Sequence, residues 1–215
     1  MKKILYIMAS SKNESISDSK TSGYHFVDLL MSNEKYELIE LDLYKEKLPV
    51  LTNKFFSKRA TIVEGDNYDQ LNIFEKNTVD KLIKLQDQFL DCDIYVIATP
   101  MWSISFPYIL KQYIDCITVN KKLIDISNNK IKGLLDDKER TMIYIQSSGG
   151  KYPDLLNFKL NHGLTYIKNL FKFLGIKNFY SVMVEGIEDN KIGKRNAFKK
   201  AYKEMGKIID LINKK

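Results

Sequence analysis

Three short stretches of this 215-residue chain hold residue types suited to gripping a ligand. Ser10-Ser11-Lys12-Asn13-Glu14-Ser15-Ile16-Ser17-Asp18-Ser19 places hydroxyls just ahead of a helical stripe. A helix start carries unsatisfied N–H groups and partial positive charge, which suits a phosphate, although serines there also serve as plain helix caps. The stretch has neither GxxxxGK[ST] nor GxGxxG, so a nucleoside triphosphate or dinucleotide loses its best support. Thr99 to Tyr108 spends two prolines, Met101 and Trp102 on a connection. Trp102 either lies against a planar ring, with backbone groups of Ser103 and Ile104 at the ring's polar edge, or plugs the core between loop and helix. Gln146 to Pro153 pairs Gly149 with Gly150 after Ser147 and Ser148. Such glycines permit positive φ and close backbone approach to an anion, or form an ordinary turn. Three such loops at one crevice favour a single flat, phosphate-bearing ligand.

Other chemistries lack their residues. His25 lies inside a helical stripe and His162 in a polar stretch, and neither has a Ser or Cys partner in a nucleophile elbow. No HExxH, His-rich or carboxylate cluster suggests a metal, and Cys92 and Cys116 are isolated, as core thiols would be. With no dedicated acid, base or nucleophile, the pattern fits chemistry carried by a cofactor.

The elements that must position these loops alternate between strand and helix. Strand-like runs occur at Lys3 to Ala9, Tyr36 to Leu41, Asp93 to Ala98, Thr141 to Gln146 and Lys177 to Val184. Helical stripes fill the gaps: Val27, Leu30 and Met31; Val79, Leu82, Ile83, Gln86, Phe89 and Leu90; Phe106, Ile109, Leu110, Tyr113, Ile114 and Ile117, capped by Ser105; and Phe198, Ala201, Tyr202, Met205, Ile208, Ile209 and Ile212. Parallel strands need crossovers, so the alternation predicts a doubly wound α/β fold with five parallel strands in the order 2-1-3-4-5 and helices on both faces. In that fold ligands sit outside the carboxyl ends of the strands, where the loops after strands one, three and four emerge. Residues 43–70, with Leu48-Pro49-Val50-Leu51 and Phe55-Phe56, are too long and apolar for a linker and read as an excursion packed on the body or on a partner subunit.

Length and a 44% hydrophobic content suit one domain over 1–215. No run approaches a membrane span, and Ile4 to Ala9 is too short for a signal peptide's core, so a soluble cytoplasmic protein is expected. The net charge of +7 is spread over scattered lysines without interleaved stacking aromatics, which argues for a solvated surface and against a nucleic-acid partner.

At these residues the chain resembles the flavodoxin-like FMN-dependent NADH:quinone oxidoreductases and NADH-azoreductases, the group also labelled acyl-carrier-protein-phosphodiesterase-like. The likeness rests on five ordered landmarks. They are the serine loop; Leu41-Asp42-Leu43 with Leu48-Pro49-Val50-Leu51; Pro100-Met101-Trp102-Ser103-Ile104 followed by Leu110-Lys111-Gln112-Tyr113-Ile114-Asp115; Ser147-Ser148-Gly149-Gly150; and Phe173-Leu174-Gly175-Ile176 with Val184-Glu185-Gly186. The resemblance implies non-covalent FMN with its phosphate and ribityl end on Ser11, Ser17, Asp18 and Ser19. It places the isoalloxazine against Met101, Trp102, Ser103 and Ile104, and the pyrimidine side at Ser147, Ser148, Gly149 and Gly150.

The family usually has Asn-Phe where this chain has Ser103-Ile104, often Arg at Ser148, and commonly Gly-x-Thr-Phe across Asn120 to Leu123. The implied reaction is ping-pong, with hydride from NADH passing through flavin N5 to a quinone, or over two rounds to an azo compound that is cleaved to amines. No catalytic side chain is implied, and a homodimer with sites at the subunit interface is. Two rivals are a flavodoxin-type electron carrier, which would be expected to be acidic, and an NADPH-dependent FMN reductase, whose phosphate loop carries more Gly and Arg. The phosphodiesterase label finds no metal-ligand set to activate water.

Overall fold

A computed structural model describes residues 1–32, 36–127, 130–152 and 160–214. Pro153, at the end of the third loop, lies outside the described residues. The five expected strands are β1 (Lys2–Met8), β2 (Tyr36–Asp42), β5 (Ile94–Pro100), β8 (Thr141–Ser148) and β9 (Asn178–Glu185), all parallel and ordered β2-β1-β5-β8-β9. That is the expected 2-1-3-4-5 order, with four short strands interposed in the numbering. β1, β5 and β8 are almost wholly buried, because helices cover both faces and every side chain of a central strand meets a core.

The pleat sorts side chains into two cores. Leu5, Ile7, Tyr95, Ile97 and Tyr144 face one layer, where α3 (Ile73–Asp91), α4 (Tyr108–Ile117) and α5 (His162–Leu174) pack. Ile4, Tyr6, Met8, Val96, Ile143 and Ile145 face the other, against α1 (Asp18–Met31) and α6 (Gly193–Ile212). The helical stripes explain these contacts, since residues three and four apart share a face. Met31 departs from its stripe: it is the last residue of α1 and is exposed, while Phe26, Val27 and Leu30 are buried. α4 begins later than expected, with Pro107 as N-cap and no capping side chain, so Ser105 and Phe106 belong to the preceding loop.

Residues 43–70 fold back on the body. Leu43, Leu48, Phe55, Ile62 and Val63 join the core beneath α3 and α4, and Gln112 Nε2 donates to the carbonyls of Leu48 and Pro49. The segment holds a small hairpin, β3 (Phe56–Lys58) with β4 (Thr61–Ile62), and the four-residue α2 (Asp66–Asp69). A second hairpin pairs β6 (Ile124–Ser127) with β7 (Lys130–Gly133). No helix among the described residues is long and apolar enough to cross a membrane.

Cys92 and Cys116 are buried, and desolvation pushes each thiol up to about 12. Thiolate at pH 8 then amounts to about one part in ten thousand. Ellman's reagent is expected to detect neither thiol in the native protein and both after guanidinium unfolding. Rapid titration of the folded protein would contradict this packing.

Candidate functional site

The carboxyl ends of β1, β5 and β8 release three loops around one crevice. It is lined by Ser10, Ser11, Lys12, Ser17, Asp18 and Ser19 from the first, Pro100, Met101 and Trp102 from the second, and Ser147, Ser148 and Gly149 from the third. Nine of the residues singled out from the sequence are therefore together, while Ser103, Ile104 and Gly150 stand outside the lining. Ile187 and Glu188, which follow β9, complete the wall.

The first wall is a cluster of hydroxyls at a helix start. Ser17 is the N-cap of α1, and its Oγ accepts from Lys20 N at 3.4 Å. The same hydroxyl donates to Ser10 Oγ at 2.9 Å and lies 3.3 Å from Ser19 Oγ. Ser10, Ser17 and Ser19 are buried. The serines thus both cap the helix and gather polar atoms beside its N–H groups, where partial positive charge favours an anion.

Asp18 Oδ1 sits 2.6 Å from Lys194 Nζ of α6, which offsets its charge at the edge of this cluster. Behind it, Lys20 and Asp42 form a buried ion pair at 2.8 Å, and Tyr6 Oη donates to the Lys20 carbonyl at 2.8 Å. Removing one partner of such a pair costs about 3–5 kcal/mol, so this contact fixes the start of α1 against the ends of β1 and β2.

The second wall is a strained turn. Trp102 and Ser105 exchange backbone hydrogen bonds of 3.2 and 2.8 Å, and between them Ser103 and Ile104 have φ of 47° and 56°. Positive φ at both central residues is the type I′ pattern, which ordinarily calls for Asn and Gly. Left-handed backbone costs a side-chain-bearing residue about 1–2 kcal/mol, and a β-branched residue is especially crowded there. Trp102 remains 45% exposed while lining the crevice, so it does not plug the core.

The third wall differs from expectation in its glycines. Neither Gly149 nor Gly150 has positive φ. A Cβ at 149 would stand 2.7 Å from Glu188 Oε2, the end of a flexible exposed side chain that can shift aside. The loop is tied to the turn after β9: Gly186 N donates to Gly150 O, Ile187 N to Ser148 O and Glu188 N to Gly149 O. Ser148 Oγ also donates to Gly150 O. These bonds engage the carbonyls of Ser148, Gly149 and Gly150. Met101 N donates to Ser147 O at 2.7 Å, joining the second wall to the third.

Sequence reasoning missed Lys12, Lys194, Ile187 and Glu188. Glu188 lies forty positions beyond Ser148 and reaches the crevice only because β9 pairs with β8, with Ser148 opposite Glu185. Among the described residues no group of three or more His, Cys, Asp or Glu is placed to hold a metal. His25 stacks on Tyr202 at 3.7 Å away from the crevice, and partial burial lowers its pKa.

Comparison with known proteins agrees with this geometry. A family model described as flavodoxin-like fold matches residues 2–209. A Clostridium acetobutylicum protein named FMN-dependent NADH:quinone oxidoreductase 1 is 46% identical over 211 residues, covering 98% of this chain and 96% of that protein. A Clostridium botulinum protein named FMN-dependent NADH:quinone oxidoreductase is 44% identical, covering 98% and 99%. Among solved structures, an FMN-dependent NADH-azoreductase from Bacillus anthracis in complex with FMN superimposes with a TM-score of 0.82 at 23% identity, covering 98% and 99%; at that identity the likeness is one of fold. The chain belongs to the flavodoxin-like family and, within it, to the group of the FMN-dependent NADH:quinone oxidoreductases.

Proposed function

We propose that the crevice binds FMN and that this chain is an FMN-dependent NADH:quinone oxidoreductase. One observation carries the reading: a buried serine cluster at a helix start and a half-exposed Trp102 line the same crevice. An anionic end and a flat ring are the two features those walls fit. The close relatives named for this activity and cofactor support the choice of FMN over other flat phosphates.

Ser11, Ser17 and Ser19 would hold the phosphate with their hydroxyls and the first amides of α1. Asp18, held beside Lys194, would take the ribityl hydroxyls. Met101 and Trp102 would lie along the ring, with the backbone of Ser103 and Ile104 at its rim. The amides of Ser147, Ser148, Gly149 and Gly150 would donate to the pyrimidine edge, where donors favour negative charge. Bound FMN supplies two-electron chemistry, with N5 as the hydride acceptor. No side chain is assigned to proton or hydride transfer. NADH and the acceptor would occupy the same open side of the crevice in turn, which is the ping-pong order.

The same chemistry extends to aromatic azo compounds, where two NADH and two protons reduce one N=N bond to two amines. We further infer that the whole chain works as one FMN-binding unit in the cytoplasm, and as a homodimer. Trp102 in the crevice and Tyr108 at the start of the helix that follows it are large side chains left exposed, which supports burial against a second copy.

Purified protein mixed with FMN is expected to show the shifted visible bands of a bound flavin, and NADH in anaerobic stopped-flow to bleach them. A folded protein that leaves the FMN spectrum unchanged would overturn the reading, and bound FMN that NADH fails to bleach would indicate an electron carrier. Faster bleaching by NADPH would favour the reductase alternative. Trp102→Ala is expected to weaken FMN binding by up to about tenfold, since an aromatic face against a flat ring is worth about 0.5–1.5 kcal/mol beyond the area it buries. Cys116→Ala, buried and distant, is expected to lower stability while leaving that affinity within about twofold. Equal effects on FMN affinity would count against Trp102 as the platform.

Glu188 places an exposed carboxylate in the crevice that would receive an anionic ligand. Glu188→Gln is expected to tighten FMN binding about two- to fivefold at low salt, with the difference shrinking at high salt. Weaker binding by the variant would show that the carboxylate contacts the ligand favourably.

A further inference from the structure

The Trp102–Ser105 turn holds a shape its own residues disfavour, so contacts from outside must keep it there. Ser103 and Ile104 sit at φ of 47° and 56°, and neither has the glycine or asparagine character that makes this region comfortable. The two hydrogen bonds within the turn belong to any two-residue hairpin turn. Two more come from elsewhere: His162 N donates to Ile104 O at 2.9 Å, and Gln146 Nε2 donates to Ser105 O at 3.0 Å.

Gln146 is itself held. It is 1% exposed, and its Oε1 accepts from Asn161 Nδ2 at 2.6 Å. Asn161 is equally buried, and its Oδ1 accepts from Leu164 N at 2.9 Å as the N-cap of α5. A buried line of hydrogen bonds therefore runs from the start of α5, through a β8 glutamine, to the carbonyl that closes the turn. Gly163 makes room for it, since a Cβ there would lie 3.1 Å from both Gln146 Nε2 and the Ser105 carbonyl carbon. A glutamine that follows the apolar run Met142 to Ile145 of a central strand has no packing advantage, and burying its amide is tolerable because both ends are bonded.

We propose that Gln146, oriented by Asn161, is a positioning residue that clamps the Trp102–Ser105 turn in its left-handed shape and so sets the platform for the flavin ring. The inference rests on the FMN reading of the crevice. Gln146 does not line the crevice and acts only through Ser105. It sits two residues before Ser148, so one strand sets both the pyrimidine-side loop and the ring-side turn.

A double-mutant cycle separates clamping from general structural support. FMN affinity is measured by flavin fluorescence for the parent, Gln146→Met, the turn variant Ser103→Asn/Ile104→Gly, and their combination. With the native turn, Gln146→Met is expected to weaken FMN binding about tenfold; in the Asn-Gly turn, which adopts type I′ geometry unaided, the same substitution is expected to cost less than about twofold. Equal losses in both backgrounds, or no loss with the native turn, would overturn the proposal.

Should Gln146→Met fail to fold, Asn161→Ser takes its place with the same expectations, because serine still caps a helix but is too short to reach Gln146. Thermal unfolding of the four proteins without flavin gives an independent readout, and the melting-temperature loss from Gln146→Met should shrink in the Asn-Gly turn. If the parent binds no FMN, the proposed function fails, while the unfolding comparison still decides for or against the clamp.

Discussion

Parallel strands are joined only by crossovers, so β1, β5 and β8, lying side by side, must all release their chains at the same edge of the sheet. Everything about the crevice follows from that constraint. Met8 pairs with Ala98, and Pro100 with Ser147, so the serine loop, the tryptophan turn and the glycine loop begin within two strand spacings of one another. The hydrogen bond from Met101 N to Ser147 O carries the ladder one step past the strand ends. The loops need no long-range search to meet; the register delivers them, and the buried Lys20–Asp42 pair anchors the start of α1 beside them.

Local rules are broken where the three loops meet. Trp102 is left half-exposed, Ser103 and Ile104 occupy left-handed backbone, and carboxylates of Asp18 and Glu188 share a wall with hydroxyls and amides suited to an anion. Ordinary preferences hold in the Asn72–Glu75 capping box of α3 and the glycine C-cap of α5, while Ala60 and Lys121, outside the crevice lining, also take positive φ. Two consecutive left-handed residues beside a half-exposed tryptophan concentrate such departures at one place, as functional sites do in a sequence otherwise selected to fold.

The strands and their order were legible because central parallel strands are continuous apolar runs, and the periodic stripes of α3 and α6 admit few other readings. The short hairpins were not legible. β4 has two residues and β3 three, too few for any alternation to register. Helix α4 was placed too early because Ser105 looks like a cap, whereas the turn before it claims that residue's backbone. Gly149 and Gly150 do not use the positive φ that glycine permits, and no local pattern connects Gly149 to Glu188, which approaches it from the turn after β9. The strain at Ser103 and Ile104 left no trace in the sequence, since neither residue type advertises positive φ. Gln146 and Asn161, the residues that hold the turn, were likewise invisible, because a buried amide pair is defined by contacts fifteen residues apart.

The central claim is that one crevice reads both ends of FMN, the phosphate at the serine cluster and the ring at the Trp102 turn. Parallel titrations of the protein with FMN and with riboflavin, which keeps the ring and ribityl chain but lacks the phosphate, test it most directly. The account predicts that both ligands bind and that FMN binds at least about a hundredfold more tightly, the loss expected when a dianion is removed from charge-assisted hydrogen bonds worth about 1.5–3 kcal/mol each. Equal affinities for the two ligands would contradict it.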